Sequence, residues 1–156
     1  MKPETELIVN TLKLMATKII NEEQEEHLPM VFIPTETELV IVPLLGDFRP
    51  DFKNLITSAL HLLHSDTYVL VNESWIAELS VDSPRTKKIT EGEMTVSDLP
   101  LDDRQEVLML MAVENGTCFQ LYQAKINYDM SGLRQLGEWV EFPSDGIMGR
   151  LVVKEW

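Results

Sequence analysis

The chain has 156 residues, of which 26 are acidic and 13 basic, for a formal net charge of −13. That charge opposes nucleic acid and anionic membrane surfaces, whose binding relies on Lys and Arg, and the longest apolar run, residues 107–113, is far too short to span a bilayer. A hydrophobic content of 44% and a length near that of one domain predict a core built without disulfide or metal, and the single cysteine suits a reducing cytoplasm.

Pro3, Glu4 and Glu6 suit the first turn of a helix. Ile8, Leu12, Met15 and Ile19 then recur at helical spacing, which predicts a helix over 3–21. Leu7, Val9, Leu14 and Ile20 widen its apolar face and predict burial on more than one side. The N-terminus has no signal-peptide apolar core, and the acidic run 22–26 reads as a fraying helix end or a solvated loop. Residues 30–33 and 37–45 are strand-like. Pro43 predicts a strand end or an outer strand for the second, while its apolar residues on both alternating faces predict cover on both sides. A turn over 46–50 leads to a helix from Asp51 to about His64, centred on Phe52, Ile56, Ala59 and Leu63.

Residues 67–79 form the most informative stretch. Read as a strand, Val69, Val71, Glu73, Trp75 and Ala77 share one face. Glu73 therefore stands in an apolar row beside a tryptophan, where a carboxylate must find a partner, shift its pKa upward or open onto a cleft. One reading pairs it with a nearby arginine, Arg104 being the natural choice. The other makes it an acid–base or ligand-anchoring group, with Trp75 as an apolar wall and Asp102, Asp103 or Arg104 as partners.

Residues 80–103 are polar, contain Pro84, Gly92 and Pro100 and carry the basic cluster Arg85-Thr-Lys-Lys88. A stretch of this length reads as a flexible loop or a binding lid. Asn115-Gly116 between two apolar segments predicts a type I′ hairpin of 105–114 with 117–128. Uninterrupted pairing from that turn sets Leu110 opposite Leu121 and Glu106 opposite Lys125. A helix capped at Asp102 or Asp103 competes for 102–114, but the apolar run there lacks a helical period. Residues 137–142 and 147–155 read as a last pair of strands.

The glycines form neither a dinucleotide fingerprint nor a phosphate loop, and metalloprotease, paired-cysteine and nucleophile-elbow motifs are lacking. No catalytic group, cofactor or metal ligand is therefore assigned. His61 and His64 lie three apart on the second helix, but their angular positions read as a solvated face rather than a metal pair. Cys118 reads as a buried thiol, and Trp139 and Trp156 as packing or interface residues.

The segment Tyr68-Val-Leu-Val-Asn-Glu-Ser-Trp75, followed by a polar gap and Asp102-Asp-Arg-Gln-Glu-Val-Leu108, resembles a loose family of small uncharacterised microbial and phage proteins. These carry an aromatic-Val-x-Val-x-Glu-Ala-Trp strand and a later Asp-x-Arg-x-Glu-hydrophobic strand. Ser74 stands where that pattern has alanine. The resemblance implies a strand over 105–114 and brings no activity with it. The expected architecture is α+β: an antiparallel sheet of about five to seven strands with two packed helices. The expected function is a non-enzymatic cytoplasmic module that binds a protein partner or itself; the alternative is a small enzyme or ligand-binding protein using Glu73.

Overall fold

The computed structural model describes residues 1–44, 49–77 and 79–142, excluding the side chains of 49–51 and 117–119. The fold is α+β. Among the described residues six antiparallel strands form one sheet in the order β2-β1-β3-β4-β5-β6: β1 Met30–Pro34, β2 Leu39–Pro43, β3 Thr67–Ile76, β4 Gln105–Glu114, β5 Thr117–Tyr128 and β6 Arg134–Phe142. Helix α1, Pro3–Thr17, covers one face and α2, Arg49–Leu63, the other; α3, Pro84–Thr90, is short and exposed. The proposed strand 147–155, the 46–50 turn (beyond the start of α2), the Cys118 side chain and Trp156 lie outside the described residues.

The two faces of the central strands explain the three layers. Val69 and Val71 of β3 and Leu108, Leu110 and Ala112 of β4 pack with Val9, Leu12 and Ala16 of α1. Tyr68 and Leu70, on the opposite face, pack with Phe52, Ile56 and Leu60 of α2. Strands buried on both sides have continuous apolar runs, and β3 and β4 do.

The buried stripe of α1 is Thr5, Val9, Leu12 and Ala16, continued by Ile20. Of the expected stripe Ile8, Leu12, Met15 and Ile19 only Leu12 is fully buried, with Ile8 partly buried against the same cluster and Met15 exposed; Val9 and Ile20, expected to widen the face, are buried. The expected burial on more than one side is also corrected, since Leu7 and Leu14 are exposed to solvent. The helix passes at Lys18–Glu22 into a π-helical turn, with the Glu23 N–H on the Lys18 carbonyl. Such a turn adds a residue to the helical repeat and re-aims the side chains that follow it.

Helix α2 ends on His64, whose φ of 51° is left-handed. The Ser65 N–H reaches the Leu60 carbonyl and the His64 N–H the His61 carbonyl, a Schellman closure. His64 is thus a chain-reversing residue.

Asn115 and Gly116 have positive φ, as a type I′ turn requires, and Glu114 faces Thr117. The pairing does not continue uninterrupted. Val113 faces Cys118 but Ala112 faces Gln120, so residue 119 is an extra residue on β5. Beyond this bulge Leu110 faces Tyr122 and Lys125 faces Val107. The expected Leu110–Leu121 and Glu106–Lys125 pairs are therefore corrected by one residue. The shift turns Leu121 to the α2 face and Tyr122 to the α1 face, each into a core cluster.

β2 is an outer strand, as Pro43 indicates, but it is not covered on both sides: Leu39 and Ile41 remain exposed. Residues 80–103 carry α3 and two single 3₁₀ turns, Val96–Asp98 and Leu101–Asp103. Among the described residues no helix is long and apolar enough to cross a membrane.

Candidate functional site

The odd-numbered residues of β3 face α1, and beyond Val71 their cover passes to residues 21–27. There the Glu73 side chain, 9% exposed, accepts the His27 N–H on Oε2 at 2.8 Å and the Arg134 guanidinium on Oε1. The same Arg134 Nη2 donates to Glu106 Oε1 at 3.1 Å, and the Tyr128 hydroxyl donates to Glu106 Oε2 at 3.0 Å. Arg134 Nη1 donates to the Glu25 carbonyl. One guanidinium thus holds β3, β4, β6 and the 21–27 segment together. Burial lowers the Arg134 pKa, with the nearby Glu26 charge opposing.

The backbone at Arg134 is held as well. The side-chain amide of Gln24 accepts the Arg134 N–H at 2.6 Å and donates to the Arg134 carbonyl at 2.9 Å. Asn21 Oδ1 accepts the Leu136 N–H at 2.6 Å. These two amides do for the start of β6 what a further strand would do, and the π-helical turn delivers them there. Gln24 adopts φ 54° to reach it.

Glu73, Trp75 and Glu106 line a cleft of about 480 Å³, with Glu26 on one side and Ile89, Met94, Val96 and Ser97 of the 80–103 stretch on the other. Its volume lies within the range of small-ligand sites. The Arg104 guanidinium stacks on the Trp75 ring, 4.2 Å from its centroid, and donates to the Ser97 carbonyl. Arg104 therefore ties the outer wall to Trp75.

The sequence-derived candidates separate into two groups. Glu73 and Trp75 meet in this cleft and Arg104 stacks on Trp75. Asp103 pairs instead with Arg85 at 2.6 Å, and Asp102, Asp103 and Arg104 line a different cleft of about 380 Å³ with Ile76, Ala77 and Lys125. Glu73 does have an arginine partner, but it is Arg134 rather than Arg104. Arg134, Glu106, Tyr128 and the His27 N–H are the groups that sequence reasoning did not assemble. The period-two pattern of Arg134 and Leu136 before Gly137 was the available sign, since it extends the last strand backwards to Arg134.

Chemically, both oxygens of each carboxylate already hold a donor. Neither is a free base, yet each oxygen keeps a second lone pair for another donor. Trp139 is half-buried, with Lys13 lying over Tyr122 at 3.9 Å and over Trp139 at 5.9 Å. His61 and His64 are exposed. No group of three potential metal-ligating side chains occurs among the described residues. Compared with models of known protein families, with curated proteins and with solved structures, the chain matches none.

Proposed function

We propose that this is a non-enzymatic binding module of the cytoplasm whose cleft beside Glu73 takes up a basic side chain, lysine or arginine, of a protein partner. The observation that carries this reading is a charge imbalance in a concave site. Three carboxylates, Glu26, Glu73 and Glu106, line the cleft. Arg134 lies between Glu73 and Glu106, and Arg104 over Trp75, so even with both guanidiniums counted one negative charge is left over. Trp75, Met94 and Val96 supply an apolar wall for the aliphatic stem that a lysine or arginine carries.

Both oxygens of Glu73 already accept a hydrogen bond, one of them from a cation, which stabilises the charged carboxylate and favours binding over acid–base catalysis. A formal charge of −13 favours a basic partner over a second copy and disfavours nucleic acid.

The test is a calorimetric titration with N-acetyl-arginine amide, using N-acetyl-citrulline amide as the neutral isostere. The arginine probe is expected to bind and the citrulline probe not to bind. Glu26→Gln, at the exposed side of the cleft, is expected to weaken binding about fivefold, as for one solvent-facing charge worth ~1 kcal/mol. Equal heats from the two probes, or no binding of either, would refute the reading.

A further inference from the structure

The second surface is the outer edge of β2, independent of the cleft. Among the described residues no strand pairs with that edge. The Leu44 N–H donates to the Pro29 carbonyl and the Thr35 N–H to the Glu38 carbonyl. Alternation from these two points turns the backbone groups of Glu38, Val40, Val42 and Leu44 toward β1, and those of Leu39, Ile41 and Pro43 outward. The outward set is two N–H donors, since Pro43 has none, and three carbonyl acceptors.

The side chains of the same three residues lie on the α1 face, through their register with Pro34, Phe32 and Met30. Helix α1 packs over β3 and β4, which leaves Leu39 45% and Ile41 54% exposed. Val42 points the other way and packs on the α2 core.

Outer strands are ordinarily blunted by lysines, bulges or a covering segment. The start of β6 is blunted in this way by Gln24 and Asn21. β2 itself has no charge and pairs with β1 without a bulge; within the strand the protecting residue is Pro43, at its end. The charges that lead into it are acidic, Glu36 and Glu38, both exposed, on a chain of −13.

We propose that this edge binds an extended, basic segment of a partner protein as an added antiparallel strand. Its apolar side chains would lie beside Leu39 and Ile41, and its lysines or arginines on the side of Glu36 and Glu38. Main-chain hydrogen bonds supply affinity in this mode and alternate side chains supply specificity. A second copy of the chain would bring another −13 to the same edge, which opposes it.

The probe is a fluorescein-labelled Lys-Val-Lys-Val-Lys-Val-Lys peptide, compared with the same peptide N-methylated at its three valines. Residues directly opposite Leu39 and Ile41 share their face and their hydrogen bonds. Methylation therefore removes the bonding N–H groups while keeping every charge. The parent peptide is expected to bind, and the methylated one to bind at least about tenfold more weakly. Hydrogen exchange of the Leu39 and Ile41 amides is expected to slow with the parent peptide alone. Ile41→Glu, at an exposed position, is expected to lose binding while keeping the wild-type Tm. Equal affinity for the two peptides would mean diffuse charge attraction and would overturn the proposal. So would absence of binding. Protection of both amides in the free protein would overturn it too, and protection that rises with protein concentration would assign the edge to a second copy instead.

Discussion

Replacing Glu73 by glutamine tests whether this carboxylate is a structural anion. The wild-type oxygens accept from two different donors, the His27 N–H and the Arg134 guanidinium. A glutamine has one oxygen and one NH2 group, so whichever way it turns, its NH2 meets a donor and one buried donor is left unpaired. An orphaned buried donor costs about 1–3 kcal/mol, and breaking a buried ion pair about 3–5 kcal/mol. The pair here is well buried, with side chains 9% and 13% exposed. Arg134 nevertheless keeps Glu106 and the Glu25 carbonyl, which moves the expected loss below the upper figure, to about 2–4 kcal/mol. For a chain of this size each kcal/mol shifts Tm by roughly 2–4 °C, so a fall of about 4–16 °C is expected at neutral pH by scanning calorimetry. Pairing this change with Arg134→Met in a double-mutant cycle is expected to give a coupling of at least ~1 kcal/mol. A Tm within about 2 °C of wild type, or strict additivity in the cycle, would refute the argument that Glu73 holds the sheet together.

Two further outcomes follow from the same region. Gln24→Ala removes both hydrogen bonds to the Arg134 backbone and is expected to cost about 1–3 kcal/mol in urea unfolding; the Arg134 amide should then exchange much faster, and an unchanged exchange rate would exclude edge capping by Gln24. Burial depresses the pKa of His27 from 6.5, with the Leu28 carbonyl opposing. The unfolded chain therefore takes up the proton first, so the stability held by neutral His27 is complete above about pH 6.5 and declines as pH falls toward the lower folded value. Wild-type Tm should drop between pH 7 and pH 5.5, and His27→Met should flatten that part of the profile; parallel profiles would count against it.

The sheet was readable because its signals are local. Alternation in 67–79 and the Asn115-Gly116 turn are each contained within a few residues; the turn forms where expected, and the strand forms over 67–76, ending before Ala77. What could not be read depends on single-residue phase. One extra residue in β5 moves Lys125 from Glu106 to Val107, and nothing in the alternation of β4 encodes a bulge in its neighbour. The π-helical turn is a similar phase change, and it determines that Asn21 and Gln24 reach β6. The partner of Glu73 depends on these and on a further shift between β5 and β6, where Ala124 faces Trp139 but Ile126 faces Leu136. Arg104 is close in sequence to the strand that pairs with β3, which made it the natural choice, yet its guanidinium is taken by the Trp75 ring and the Ser97 carbonyl. Arg134 is 61 residues away in sequence and reaches Glu73 only because β6 begins beside Gln24, which lies beyond the phase-shifted end of α1. A carboxylate in an apolar row announces that a cation must come; which cation comes is decided by irregularities that strand and helix periodicity average away. The same logic explains why β2 stayed exposed. Its apolar alternation reads as burial on both faces, but α1, seated over β3 and β4 by its Val9–Ala16 stripe, does not extend to it. An apolar strand left open in this way is the reason to look for a partner at that edge.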